Sequence, residues 1–386
     1  MIKALRGMKD ILDPKFLKIF DTAREVAENY GYDYIETPVL EETALFKRSV
    51  GESSDIVNKE MYQFIDKGGN DVCLRPEGTA GVVRSFIEHK FDRAGTPKRF
   101  WYFGPMFRYE RPQKGRFREF HQFGVESFGT KSIYEDINII SMAADIFERL
   151  GIEYTLKINS LGCPECMPKY KDKLVEFLNQ HKENLCEDCQ RRITQNPIRT
   201  LDCKNENCQA ILKDAPKITD NLCDSCESDF ETLKKGLDNL GIKYEVDKNL
   251  VRGLDYYTKT TFEFVSNKIG AQSAIAGGGR YDRLVEFLGG KPTPGVGFAI
   301  GIERIMDLVE TDTKRSGIYM GALIEEAIPY IQKHARGVRK EQKVFVEPNV
   351  KSLKAHLKAA DKGNYKTALI VGEDELKKGD FFIKEL

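Results

Sequence analysis

The 386-residue sequence contains no run of 18 apolar residues, which excludes a membrane-spanning helix. Its first residues, Met1-Ile2-Lys3-Ala4-Leu5-Arg6-Gly7, lack the apolar stretch of a secretory leader, so the expected compartment is the cytoplasm. Net charge is absent too: 60 Lys and Arg balance 60 Asp and Glu, and the sum gives no pointer to nucleic acid. There is no G-x-x-x-x-G-K-[ST] run, which excludes a P-loop. The glycines of Gly295–Gly301 do not replace it. The third is one residue late for a dinucleotide fingerprint, Pro294 precedes the run, and no βαβ unit surrounds it. Histidine is scarce, at five residues, and none stands near a Ser or Cys in the pattern of an activated nucleophile. A reaction that needs no nucleophile from the protein fits better.

What is present is unevenly distributed. Between Lys333 and Lys366, ten Lys and Arg face three acids, so one end of the chain is basic enough to meet a polyanion. Apolar residues at Phe16, Ile19, Phe20, Ala23, Val26 and Tyr30 have helical spacing, and Gly31 stops the run. Residues 34–38 then read as extended, with a proline that demands an edge or a bulge. Strand patterns follow at 71–75, 99–108 and 117–126, a helix at 135–150, and further strands at 251–255, 261–265 and 271–276. A helix after Gly301 ends near Glu310. Strands that succeed one another without helices between them predict an α+β fold, an antiparallel sheet flanked by helices. Beyond a polar hinge at 311–316, alternating strands (318–323, 344–346, 368–371) and helices (325–338, 350–361) predict a small α/β domain. Four segments result: a first core segment over residues 1–162, a cysteine-rich insertion over 163–247, a second core segment over 248–312, and a C-terminal domain over 316–386 that ends rather early at Leu386.

The densest chemistry is Phe107–Arg118, where five basic residues in twelve positions interleave with aromatics. Guanidinium groups suit phosphate because each presents a planar fork of donors. On composition alone the segment fits a solvated basic hairpin, but the following strand changes the reading. At period two, Phe120, Gln122, Gly124 and Glu126 share a face: an aromatic platform, an amide, a gap and a carboxylate. Such a face is unsuited to a dry core and suits a pocket for a nucleotide and a small polar substrate. Arg75–Thr79, Val251–Tyr257 and Ala276–Asp282 are further candidates. Taken singly they fit an ordinary β-to-α turn, a lone arginine before a glycine, and a tight glycine bend.

Eight of the nine cysteines lie in 163–226, as Cys163/Cys166, Cys186/Cys189, Cys203/Cys208 and Cys223/Cys226. In a chain without a leader these pairs argue for thiolate metal ligation rather than disulfides. Structural zinc is the default for four thiolates, with up to two sites, against redox or packing roles.

Taken in order, these clusters resemble the class II aminoacyl-tRNA synthetases, specifically the histidyl-tRNA synthetase family. The resemblance rests on Arg75–Thr79, Phe107–Pro112, His121–Glu126, Leu250–Tyr257, Ala276–Asp282 and Gly301–Arg304, and spans nearly the whole chain. It implies a ligase using ATP, Mg²⁺, histidine and tRNA(His) in protein biosynthesis, and a homodimer built through the segment at Thr37-Pro38. It further implies that Arg108 and Arg304 hold the α- and γ-phosphates, that Arg116 also serves ATP, and that Phe120 stacks on adenine. Arg252 would stabilise charge as the histidine carboxylate attacks phosphorus. Glu77, Thr79 and Gln122 would fix the amino-acid head group; Glu126 and Tyr257, with Tyr281 nearby, would address the imidazole.

Tyr109, Lys259 and Arg283 depart from residues common in the family, outside these roles. The stripe Lys351, Lys354, Lys358 and Lys362, read as opposite Leu353 and Leu357, suits either tRNA phosphate or plain solvent. No editing domain is evident. The alternative is a synthetase-like regulatory subunit of ATP phosphoribosyltransferase, which lacks ligase activity; a sensing domain fused to a stress kinase is disfavoured by the absence of kinase signatures.

Overall fold

The computed structural model describes all residues except Met1, Glu52, Ser53, Asp55, Ala94, Thr96, Lys114, Lys204, Gly253, Asp255, 270–273 and 311–313. Two compact units emerge, Met1–Glu310 and Thr311–Leu386. Among the described residues no helix is long and apolar enough to cross a membrane.

The strands of the first unit are β1 (Asp33–Tyr34), β2 (Leu40–Glu42), β3 (Tyr62–Ile65), β4 (Asp71–Leu74), β5 (Lys98–Phe107), β6 (Glu119–Phe128), β7 (Thr155–Ser160), β8 (Tyr244–Val246), β9 (Thr258–Val265), β10 (Ala274–Arg280) and β11 (Gly295–Gly301). Eight of them form one sheet in the order β1-β5-β6-β11-β10-β9-β7-β8, and β2-β4-β3 form a small one. The sheet is antiparallel from β5 to β7 and parallel only at its two edges, which agrees with the α+β expectation.

Alternation along the strands makes two different faces. Phe123 and Val125 of β6, Val296, Phe298 and Ile300 of β11, and Phe262 and Phe264 of β9 enter one core. That core is closed by the helices Lys15–Asn29, Ile133–Arg149 and Asp224–Asn239, whose apolar stripes bury Ile19, Ile140, Phe147 and Leu237. The other face carries Phe100 and Tyr102, covered by Val82, Val83 and Phe86 of the helix Thr79–Glu88. The insertion has its own core, which runs from Cys163 to Cys226; Phe230, Leu233 and Leu237, on the return helix, already belong to the main core.

Several sequence expectations shift. The strand expected at 251–255 is not formed: Val251, Arg252 and Leu254 lie in a loop, and Gly253 and Asp255 are outside the described residues. Arg252 there turns to an ion pair instead of a ladder partner. Both glycine-rich runs, expected as bends or left unassigned, are the strands β10 and β11, because their side-chain space is needed by neighbours. The strand expected from 271 begins at Ala274, with Ala271, Gln272 and Ser273 outside the described residues. After Gly301 the regular helix covers only Ile302–Ile305.

In the second unit β12 (Ile318–Ala322), β13 (Val344–Val346), β14 (Thr367–Val371) and β15 (Phe382–Glu385) form a sheet in the order β13-β12-β14-β15. The first three strands are parallel, with helices Ala327–Val338 and Leu353–Lys362 as crossovers, as expected; the antiparallel edge strand β15 was not. The helix Leu353–Lys362 buries His356 and Ala360, whereas Leu353 is exposed. His356 turns inward because its two ring nitrogens meet Tyr319 Oη and the Ala322 carbonyl, each at 2.9 Å.

The buried pair of Arg280, at the end of β10, and Asp136, on the helix Ile133–Arg149, staples that helix to the sheet. Arg280 also donates to the carbonyls of Thr130 and Ser132, at 2.9 and 3.0 Å. Replacing Arg280 by Met strands a buried carboxylate and is expected to cost about 3–5 kcal/mol. Urea unfolding checks this, with some of the loss returning in the double variant Arg280→Met/Asp136→Leu.

Candidate active site

The second face of the large sheet is a trough because of which residues oppose one another. One row across it reads Tyr102, Gly124, Ala299, Gly277 and Glu263. The next reads Phe100, Glu126, Gly297, Gly279 and Thr261. Large and charged residues flank centres with little or no side chain. The vacated volume is occupied. A Cβ on Gly297 would overlap the Glu126 carboxylate, one on Gly277 the Arg252 guanidinium, and one on Gly124 the Tyr102 ring.

Around this trough the structure gathers all of the expected substrate residues. Glu77, Thr79, Arg108, Arg116, Phe120, Gln122, Glu126, Arg252, Tyr257, Tyr281 and Arg304 line a single cleft. The segment Phe107–Arg118 is the connection between β5 and β6, so its arginines rise from the ends of two paired strands. Arg108 donates through Nε to the Pro76 carbonyl at 2.8 Å, and its guanidinium lies 5.3 Å from the Phe120 ring centre. Arg304 is fixed by the Ala274 carbonyl at 2.9 Å. Its pKa is pushed down by burial and then by the like charges of Arg108 and Arg116, so three cations converge on one end of the cleft. Such a cluster is stabilised by a polyanion.

The other end is lined by two buried carboxyl groups, Glu126 and Glu77. Glu126 is 1% exposed and accepts hydrogen bonds from Thr79 Oγ1 at 2.6 Å and from the Tyr281 hydroxyl. Burial pushes its carboxyl up to about 8 in spite of these donors, with the Glu77 charge adding to the rise. Glu77 is raised as well, by burial, against the backbone N–H groups of Ala80 and Thr79. Through those bonds, at 2.9 and 2.7 Å, Glu77 accepts from two first-turn N–H groups of the helix Thr79–Glu88, just before its N-cap Gly78. The Tyr257 ring packs tilted against Tyr256, with ring centres 4.7 Å apart, and Tyr256 in turn meets Tyr281 edge-on.

Arg252 joins the two ends. It pairs with Glu263 of β9 at 2.5 Å. Burial is the largest influence and lowers its pKa, but the charge and hydrogen bond of Glu263 together with Tyr257 and Tyr256 outweigh it and hold the guanidinium above its ordinary value. Among the described cleft residues, Arg252 Nε, Gln122 Oε1 and Tyr102 Oη are buried without a hydrogen-bond partner within the protein. Buried polar groups are normally satisfied, so these three point to a ligand.

Several participants were not singled out from sequence. Glu263 stands between Phe262 and Phe264, and an acid alternating with buried aromatics was the available signal. Glu110 and Glu303 lie inside the quoted motifs: Glu110 pairs with Arg116, and Glu303 accepts from the His121 backbone and meets its ring nitrogen at 2.9 Å. Tyr102 supports the floor beneath Gly78 and Gly124. Apart from the cleft, the eight insertion cysteines form two groups, Cys163/Cys166/Cys223/Cys226 and Cys186/Cys189/Cys203/Cys208.

The pKa of Glu126 has a consequence for stability. With the folded value raised from 4.5 to about 8, its contribution is full below pH 4.5 and is lost as pH rises towards 8. Glu126→Gln should remove that decline, so the variant gains on the wild type by a few kcal/mol across this window. Urea unfolding at a series of pH values without ligand checks it; parallel pH profiles would contradict it.

Comparison with known proteins agrees with this geometry. Residues 7–305 match the family described as histidyl-tRNA synthetase. The chain is 64% identical to a histidine–tRNA ligase of a Sulfurovum species, over all of this chain and 97% of the relative. It is 64% identical to another from a Nitratiruptor species, over all of this chain and 96% of that one. Among solved structures, the apo S. aureus histidyl-tRNA synthetase superposes with a TM-score of 0.81 at 35% identity, covering 100% of this chain and 97% of that one. A Bacillus halodurans protein, described as an ATP phosphoribosyltransferase regulatory subunit/histidyl-tRNA synthetase, shares the fold at 22% identity and a TM-score of 0.68, covering 96% and 98%. With its arginine cluster, its buried carboxylate and full-length relatives of this identity, the chain belongs to the histidyl-tRNA synthetase family.

Proposed function

We propose that the cleft performs the two-step ligase reaction of this family. Histidine is first joined to ATP, giving histidyl-adenylate and pyrophosphate, and the histidyl group then passes to tRNA(His). The observation that carries this reading is the polarity of one cleft, with three converging arginines at one end and a buried carboxyl group at the other, bridged by Arg252.

In this reading Arg108, Arg116 and Arg304 hold the phosphates, and Phe120 offers its ring to adenine. Histidine lies with its ammonium towards Glu77, Thr79 and Gln122 and its imidazole against Glu126, Tyr257 and Tyr281. An apolar side chain of the same size would displace water from Glu126 and Tyr257 without returning a hydrogen bond, which discriminates strongly without editing. The histidine carboxylate is itself the nucleophile; its C–O oxygen bonds to the α-phosphorus as the bond to pyrophosphate breaks. Arg252 and Arg108 are then placed to meet the charge that grows on the α-phosphoryl oxygens. Glu110, Glu263 and Glu303 line the cleft and would offer the hard oxygen donors that Mg²⁺ prefers, an ion that would neutralise phosphate charge when bound.

For the second step, Lys354, Lys358 and Lys362 form an exposed stripe on the helix Leu353–Lys362, a surface suited to tRNA phosphate. The proposal includes a homodimer. Leu40 of β2 and Phe64 and Ile65 of β3 are exposed apolar residues that a second copy would cover. The compartment is the cytoplasm, where tRNA is charged.

The test is histidine-dependent exchange of pyrophosphate into ATP in the presence of Mg²⁺. Arg252→Ala should lower the rate by about 10²–10³-fold while leaving the fold intact. Glu126→Gln should chiefly raise the KM for histidine. Folded protein that exchanges nothing would favour the regulatory-subunit alternative, and an Arg252→Ala rate within about tenfold of wild type would remove Arg252 from its role.

A further inference from the structure

The ligase chemistry leaves the eight insertion cysteines unused, although their arrangement is highly specific. In each of the two groups the four sulfurs lie within 4.8 Å of one another. Cys163 Sγ is 3.7 Å from Cys166 Sγ and 3.8 Å from Cys223 Sγ; Cys186 Sγ is 3.8 Å from Cys203 Sγ. A disulfide requires about 2.05 Å, so these are not disulfides. A tetrahedron with zinc–sulfur bonds of about 2.3 Å has sulfur–sulfur edges of about 3.8 Å, which these separations match.

The surroundings suit thiolates. The backbone N–H of Cys223 donates to Cys166 Sγ at 3.1 Å, that of Cys186 to Cys208 Sγ at 3.2 Å, and that of Asn205 to Cys203 Sγ at 3.5 Å. Donors of this kind fix metal-bound sulfur and favour its charged form. The apolar core of the insertion is also thin. Five of its thirteen buried members are cysteines, so without ions a large share of its centre would be close-packed thiols. Segments this small commonly lean on a structural metal.

We propose that the insertion carries two structural four-thiolate zinc sites. The outer site (Cys163, Cys166, Cys223, Cys226) clamps both ends of the insertion together, and the inner site (Cys186, Cys189, Cys203, Cys208) organises its middle. Four soft thiolates select zinc and leave no open position for substrate, so both ions are structural. The outer site adjoins the catalytic sheet. Leu161 and Gly162, just before Cys163, exchange backbone hydrogen bonds with Lys259 of β9 at 2.7 and 2.8 Å. Asp229, on the helix that Cys223 opens, pairs with the Lys259 ammonium at 2.9 Å. The left-handed backbone of Lys259, at φ 49°, is thus held from both sides, two residues beyond Tyr257.

The inference does not depend on the ligase reading, and metal analysis of the full chain purified under reducing conditions tests it. Two zinc per chain are expected. Cys163→Ser/Cys226→Ser and Cys189→Ser/Cys208→Ser should each retain one. Cobalt supplied to the apo wild type should saturate at two equivalents with thiolate-to-cobalt charge-transfer absorption, a measurement that stands even if a variant fails to fold. Metal-free protein with its insertion thiols reduced that takes up no cobalt, saturation below two equivalents, or disulfides in the mass spectrum would each overturn the proposal.

Discussion

The structure is organised around one costly feature, a carboxylate buried at the floor of the central sheet. Taking Glu126 out of water disfavours its charge, and Thr79 and Tyr281 offset only a fraction of that cost. Space for it exists because Gly297 faces it across the ladder, and the Tyr102 ring next to it fits because Gly124 has no side chain. A core built for stability alone would fill these positions with Val or Ile. The glycine rows make room for the side chains of Glu126, Arg252 and Tyr102 that line the cleft, on strands paired on both sides.

A second tension runs along the same cleft. Arg108 and Arg116 repel Arg304, and Glu110 and Glu263 moderate the repulsion without cancelling it. Placing positive charge on strand ends and on the β5–β6 connection fixes its position before any ligand arrives. Preorganisation of this sort suits a reaction in which the substrate brings its own nucleophile and the protein supplies alignment and charge. The apolar cores on the two faces keep the sheet from relaxing around those charges.

What was visible of this in the sequence follows local rules. Period two along Phe120–Glu126 placed an aromatic, an amide and an acid on one face, and the register confirms that they share it. Short-range punctuation located the helix Lys15–Asn29 and the α/β alternation after residue 316. What escaped depends on contacts distant in sequence. Glu263 matters because Arg252 reaches it, and Glu303 because His121 lies beside it, 182 residues away. The glycines of β10 fitted a bend as well as a close approach, and those of β11 stayed unassigned, because their reason, a side chain from elsewhere in the chain, is invisible locally. Cysteine spacing pointed to metal-type pairs, but which pairs combine is set by the fold: first with last, and the two middle pairs together.

The central claim is that Glu126 receives the imidazole of histidine. A crystal structure of the protein with bound histidine tests it most directly. The account predicts one imidazole nitrogen within hydrogen-bonding distance of the Glu126 carboxylate, beside Tyr257 and Tyr281. Histidine bound with its ring elsewhere, or another amino acid occupying the cleft with Glu126 unpaired, would contradict it.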